Sequence, residues 1–571
     1  MKFTTKLFSI LLVCLFTFGF SSNRVSSTLE NIAISEYKEK INSQYNIDQS
    51  KVRFEGIDTI SSESNSEIAE AFNSENTYTK LVIHLNNSFE DSFERPTDDI
   101  PMETAKRILK EQRANVKEYY TRTNNNYLQE LGLENLDVTY MADEYAPFII
   151  AEFNSEITEE DIEYIYNLSE QDFIKTIYIK SDVQVEQELT TAINAVDATS
   201  IITNPSTNGD GVVVGILDVG IVDVNNSNFN NINVKARKVW YYSETVSDHA
   251  TMVASVALGM APAASILSVE VSGYPDSEIG WLLDNEVNVV NMSYGYTNTK
   301  DYGYYTSESA YIDSIARDNW VSFVGSAGNE GEKDGYVTPP NGYNMLTVGA
   351  CSDNGVLSSF SSYKENFNIN FPNIVAPGNL FSIPTFSGYH SGTSFAAPMT
   401  TGAIAVLMQK SPLLMTYPER VLSIIMASTQ RLSAYATSCG FSDRVGTGML
   451  NLRNALSTLN TTHSFSVDSD NVGSYISSGH VYLEKGQRIR IAFASLVNNN
   501  GNNDTSLITD YDLHLFDSSD NTVACNIGPH NNEFIDYLAT SSGTYTIKIK
   551  QFGAKKTTKT DFCSYTYFII K

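Results

Sequence analysis

The chain of 571 residues is poor in cysteine, with five, and poor in positive charge, with 38 Lys and Arg against 67 Asp and Glu. The formal charge of −29 argues against nucleic acid or an anionic membrane as the main partner, since both repel an acidic surface. Its plainest consequence is solubility. No Cys/His spacing of the zinc-binding kind occurs. Apolar runs of membrane-spanning length are also missing. The longest, Leu7 to Phe20, falls short of the ~20 residues a spanning helix needs. It follows Lys2 and Lys6 and precedes small polar residues, the layout of a secretory signal peptide over residues 1–22. Export and an extracellular location are therefore expected, with no membrane attachment once the signal is removed. Cys14 leaves with that segment, and Cys351, Cys439, Cys525 and Cys563 remain. An oxidising destination allows a Cys525–Cys563 disulfide; four buried thiols fit the sequence equally well.

What is present is globular: 42% hydrophobic and 18% charged residues, over a length that calls for three or four domains. Residues 23–77 form a polar lead-in with weak periodicity. In 78–189 the order is β-α-β-β-α-β: strand TKLVIHL, a long helix between Pro101 and Gly132, strands LDVTYMA and APFIIAEF, a second helix, and strand FIKTIYIKS. That is a small α+β unit. In 190–461 apolar runs such as GVVVGILDV, VNVVNMSY and WVSFVGSAG alternate with helical stretches, which predicts an α/β domain with a parallel sheet and helices on both faces. From 462 to 571 short strand-like runs rich in Thr, Tyr and Ile alternate with turns, as in an all-β sandwich or jelly roll.

In the α/β domain, ligands gather outside the carboxyl ends of the strands. Asp218 ends the run GVVVGILD, His249 opens the helix HATMVAS, and Ser394 opens the helix that follows HSGTS. Asn329 follows the strand-like SFVGSAG. Singly each has an ordinary reading: a strand-end turn residue, a packing histidine, a helix N-cap, a turn asparagine. Jointly they supply what a hydroxyl nucleophile needs. A histidine takes the serine proton, a buried carboxylate orients the histidine, and an amide donor receives the oxyanion.

The stretches GILDVGIVD, DHATMVAS, VVNMSYG, SFVGSAGNEGE, APGNLFS, HSGTSFAAPMTTGAIAVL and GTGMLNLRNAL resemble the subtilisin-like serine peptidases, over roughly 190–460. The resemblance implies a secreted serine endopeptidase with Asp218, His249 and Ser394 as the triad and Asn329 as oxyanion donor. It implies that Ser293, Tyr294 and Gly295 line the substrate cleft and pair with an extended polypeptide substrate. It makes the 78–189 unit a propeptide, an intramolecular chaperone and inhibitor, with self-cleavage near Leu189. No cofactor is required for such chemistry. Family members often bind structural calcium, for which Asp510, Asp512 and Asp517 are candidates here, although alternating acids on a strand are ordinarily its solvated face. The chain departs from the family pattern at Ala250 and Ser255, where glycines are usual, and at Met252 and Met399. Two other readings follow from those departures: a catalytically silent binding protein on a peptidase fold, and a processing peptidase of narrow specificity.

Overall fold

The computed structural model describes residues 52–55, 78–89, 95–96, 99–154, 159–181, 184–185, 195–237, 246–271, 273–297, 305–331, 342–363, 371–381, 383–386, 390–437, 440–497, 508–555 and 560–570. The signal-like segment, Leu189 and Cys439 lie outside them. Among the described residues no helix is long and apolar enough to cross a membrane.

The N-terminal unit contains β1 (Val52–Glu55), β2 (Tyr78–Leu85), α1 (Met102–Glu130), β3 (Val138–Ala142), β4 (Phe148–Phe153), α2 (Glu159–Ser169) and β5 (Ile174–Ser181). The sheet order is β1-β5-β2-β4-β3. β1 comes from the stretch read as lead-in and adds a fifth strand, parallel to β5. Helix α1 stops where Gly132 takes φ 63°, the left-handed turn that glycine adopts without a Cβ penalty. One face of this sheet (Leu81, Ile83, Ile149, Ile177, Ile179) packs on Ile165 of α2. The other face (Val82, Phe148, Ile150, Tyr178) joins the core of the next domain. The alternation of strand side chains thus gives the unit two apolar faces, one of which only the α/β domain can cover.

A short strand β6 (Gln184–Val185) precedes the α/β domain, which contains α3 (Thr199–Ile202), β7 (Val213–Asp218), β8 (Val234–Arg237), α4 (Asp248–Met260), β9 (Ser265–Glu270), α5 (Asp276–Asp284), β10 (Val289–Met292), β11 (Tyr296–Thr297), α6 (Ser307–Asp318), β12 (Ser322–Ser326), β13 (Met345–Cys351), β14 (Ile374–Pro377), β15 (Asn379–Phe381), β16 (His390–Ser391), α7 (Thr393–Lys410), α8 (Pro418–Ser428) and α9 (Leu452–Ser457). Seven strands form the expected parallel sheet in the order β14-β13-β12-β10-β7-β9-β8. Val214, Ile216, Val289 and Val324 face α4, α7 and α8. Leu217, Val290, Met292 and Phe323 face α5 and α6. Both faces are covered, which is why the strands read as continuous apolar runs. The sheet grows outward from β7 in both directions, so the end of β7 is a topological switch point.

The C-terminal domain contains β17 (Thr462–Val467), β18 (Tyr475–Leu483), β19 (Arg488–Leu496), β20 (Tyr511–Phe516), β21 (Thr522–Asn526), β22 (Asn532–Leu538), β23 (Gly543–Gln551) and β24 (Asp561–Ile570). Two four-stranded sheets, β17-β24-β19-β22 and β18-β23-β20-β21, enclose a core of Leu483, Ile491, Phe493, Leu513, Leu515 and Ile547. Cys525 and Cys563 sit in different sheets, and no disulfide joins them. Burial raises the Glu533 carboxyl; of the three candidate calcium ligands, Asp510 and Asp512 both lie near enough to raise it further, and Asp517 is held in a turn. Asp517 accepts from the N–H groups of Ser519 and Asn521 and closes the β20–β21 turn. Asp512 stands 3.7 Å from His514. Asp510 receives Phe552 N–H on its carbonyl. Among the described residues no three acids, histidines or cysteines converge as a metal site.

Candidate active site

Asp218 is the last residue of β7, at the switch point, and is completely buried. Its Oδ1 accepts the Val219 N–H at 2.8 Å and lies 2.7 Å from Nδ1 of His249. The second contact fixes the imidazole tautomer with Nδ1 protonated and Nε2 able to accept a proton. His249 Nε2 is buried and has no hydrogen-bond partner. The histidine ring stands 5.9 Å from that of Phe395, the residue after Ser394.

His249 is held by the start of α4. Ser247 caps that helix, accepting from Ala250 N–H and, through its carbonyl, from Thr251 Oγ1 at 2.7 Å. Thr251 in turn accepts the Asp223 N–H at 2.9 Å, which ties the helix to the loop after β7. Ala250 is fully buried within this packing. Ser255 donates to Thr251 O at 2.7 Å and accepts from Asn228 at 3.0 Å. The hydroxyl that replaces the family's glycine is therefore used to anchor a neighbouring loop.

Ser394 sits in the first turn of α7, which is buried from Thr393 to Met408. Ser394 retains 7% of its exposure where its neighbours Thr393 and Phe395 retain none. The helix contains Pro398, which has no N–H to give to the carbonyl four residues back, that of Ser394. That carbonyl accepts instead from Ser293 Oγ at 2.9 Å. Ser293 receives Asn291 Nδ2 at 2.8 Å, and Asn291 Oδ1 receives Thr401 Oγ1 at 3.1 Å. This chain pins the serine-bearing turn to the end of β10. An orphaned buried carbonyl here would cost about 1–3 kcal/mol.

Asn329 follows β12. Its Oδ1 accepts both Thr393 N–H at 2.8 Å and Thr393 Oγ1 at 3.0 Å, so its orientation is set from the oxygen side. The Nδ2 then points along Gly392: a Cβ there would lie 3.6 Å from Asn329 Nδ2 and 3.7 Å from Ser394 N. Two N–H donors border one small space, kept open by a residue without a side chain. Helices α4 and α7 touch at Gly402, where a Cβ would overlap the Ala257 carbonyl and Met260 Cβ. This glycine sets the spacing of the helices that carry His249 and Ser394.

The structure thus joins Asp218 to His249 and sets Asn329 beside Ser394. No hydrogen bond links His249 to Ser394. The side chains of Ser293 and Tyr294 turn inward, the first to Ser394 O and the second to Glu308 Oε1 at 2.7 Å. Beyond Gly295, Tyr296–Thr297 pairs antiparallel with Gln184–Val185, the segment that leaves the N-terminal unit. His390, on the strand before Ser394, is pushed down to about 4 by burial and is neutral at neutral pH. Thr393, Asn291 and Thr401 were not singled out from sequence. Pro398 inside an evident helix was the available signal, because it announces an unpaired carbonyl at Ser394.

The Subtilase family model matches residues 209–448. The chain is 30% identical to an alkaline protease of Shouchella clausii, over 48% of this chain and 72% of that one. It is 30% identical to subtilisin Savinase of Lederbergia lenta, over 43% of this chain and 91% of the relative. Among solved structures, fervidolysin from Fervidobacterium pennivorans, described as a keratinolytic enzyme related to subtilisin, matches 87% of this chain and 79% of its own, with TM-score 0.50 and 14% identity, a likeness of fold. On these grounds, and on the parallel sheet that carries the matched segment, the chain belongs to the subtilase family of serine peptidases.

Proposed function

We propose that the protein is a secreted serine endopeptidase, made as a precursor that cleaves itself. Ser394 is the nucleophile, His249 its general base and later the general acid, and Asp218 the residue that orients His249 and stabilises its charged form. Attack on a peptide carbonyl gives a tetrahedral oxyanion, received by Asn329 Nδ2 and the Ser394 N–H. Collapse expels the amine, which takes the proton held by His249. Water then hydrolyses the acyl-enzyme by the reverse sequence. The observation that carries this reading is the buried 2.7 Å contact of His249 Nδ1 with Asp218, with Nε2 left unpartnered beside the helix of Ser394. A helix cap and a packing histidine would not need that arrangement.

Ser293, Tyr294 and Gly295 serve the cleft through their backbone, since both side chains are engaged inward. The pairing of β6 with β11 supports a propeptide reading of the N-terminal unit: the strand leaving it lies where an extended substrate would be added. The test is a time course of residues 23–571 beside its Ser394→Ala twin on a denaturing gel. The parent splits near residue 189 and hydrolyses peptides, and the twin does neither. Equal hydrolysis by the twin removes Ser394 from the mechanism.

A further inference from the structure

Outside the active site, a buried ion pair joins the N-terminal unit to the rest of the chain. Arg95 Nη1 lies 2.7 Å from Glu419 Oε1, with side chains 6% and 1% exposed. The guanidinium sits over three rings: Phe562 at 4.0 Å, Trp320 at 4.8 Å and Tyr417 at 4.9 Å. Trp320, Tyr417 and Glu419 belong to the α/β domain and Phe562 to the C-terminal sandwich. One side chain of the N-terminal unit therefore touches both other domains. The residues after it extend the grip: Tyr417 OH donates to Pro96 O at 3.0 Å, and Ser411 Oγ donates to Asp99 Oδ1 at 2.9 Å.

A second route runs in parallel. Tyr120 of α1 donates to Asp318 Oδ2 at 2.7 Å. Asp318 pairs with Arg317 at 3.1 Å. Arg317 donates to Thr560 O at 2.6 Å and lies 4.9 Å from the Phe562 ring. Both routes end at Phe562 of β24.

We propose that Arg95, Pro96 and Asp99 form a clasp that couples the seating of the N-terminal unit to the seating of the C-terminal sandwich. Guanidinium suits the position, because it stacks flat on aromatic rings while pairing with a carboxylate, which an ammonium does less well. Glu419 is buried, so withdrawal of Arg95 leaves an uncompensated charge at the joint. Loss of the N-terminal unit thereby loosens the sandwich at β24, and loosening of the sandwich weakens retention of the N-terminal unit, since the coupling acts equally in both directions. The release step rests on the zymogen reading above; the coupling itself does not.

The test uses the uncleaved full chain, with Ser394→Ala in every sample, so that it is independent of self-cleavage. Amide hydrogen exchange is followed in β24, α8 and the N-terminal sheet. Arg95→Met is expected to speed exchange at least tenfold in α8 and the start of β24 while β2 and β4 keep their protection. Glu419→Gln, which approaches the joint from the other side, is expected to do the same, and Arg95→Lys to give a smaller change. Exchange in α8 and β24 within twofold of the parent in both Arg95→Met and Glu419→Gln overturns the clasp. If Arg95→Met also unprotects β2 and β4, Glu419→Gln alone decides by the same criterion. Failure of the parent to cleave itself would be seen separately, on the gel, and would remove only the release step.

Discussion

Where the N-terminal unit meets α5 and α6, two carboxyls lie buried, Asp143 and Asp276, with Tyr311 OH donating to Asp143 Oδ2 at 3.1 Å. Where the C-terminal sandwich meets α8, buried hydroxyls face one another: Ser423 lies 3.0 Å from Ser564 and 2.9 Å from Thr566. Each joint holds a buried arginine that donates to backbone carbonyls, at the first Arg113 to those of Val287 and Asn319, and the two differ in their other polar groups. The sandwich contributes Ala492, Ala494, Leu496, Phe534 and Phe562 to the same core cluster as α7 and α8, so its seat is continuous with the domain interior. It adds Asn344 to Val497 O at 2.9 Å, Asn531 to Tyr343 O at 2.7 Å, and Arg490 donating to the carbonyls of Thr429 and Thr447. Arg490, which burial lowers to about 10, keeps its charge through neutral pH. At the N-terminal joint, burial first, and then the neighbouring Asp276, push Asp143 up to about 7. Burial does the same to Asp276, up to about 7, against the pull of Lys80 and with the repulsion of Glu278. On the proposed precursor reading, the contrast suits a unit that leaves and a domain that stays.

The comparison breaks most sharply at Arg490. Arg490→Met leaves the Thr429 carbonyl without its Arg490 donor and the Thr447 carbonyl with Thr429 Oγ1 alone, and is expected to cost about 3 kcal/mol, read as a lower denaturant midpoint with hydrogen exchange raised at the sandwich. A loss below about 0.5 kcal/mol would mean that the sandwich joint is mainly apolar. The next effect is in pH. A carboxyl raised above its unfolded value of 3.8 holds its proton in the folded chain, so stability is lost as pH climbs from about 4 to about 7 and is flat above. The Ser394→Ala chain is expected to show less protection of β2 and β4 at pH 8 than at pH 5. Asp276→Asn should remove a large share of that difference; an unchanged pH profile would remove Asp276 from the effect. The smallest expected effect is Ser423→Ala, about 1 kcal/mol, without pH dependence between 5 and 8; a pH-dependent loss would make the two joints alike.

Much of this was legible in the chain itself. The run GVVVGILDV marks β7 because a strand covered on both faces has no polar alternation, and Asp218 stands out as the first acid after it. His249 and Ser394 were legible because each opens a helix in an alternating domain. Long-range pairings were not. β1 lies in a polar stretch, and its partner β5 is more than a hundred residues away. The inward turn of Ser293 depends on a carbonyl freed by Pro398 on another element. A Cys525–Cys563 bridge fitted the sequence, and in the structure no disulfide joins the two. The acids of TDYDLHLFDSSD looked like ligands, and the structure spends Asp517 on a turn instead.

The central claim is that Ser394 is activated by His249. The direct measurement is labelling of the processed parent with a serine-directed fluorophosphonate, followed by mapping of the modified peptide. The account predicts one adduct, on Ser394, and its loss in His249→Ala. An adduct on another serine, or none in a folded parent, would contradict it.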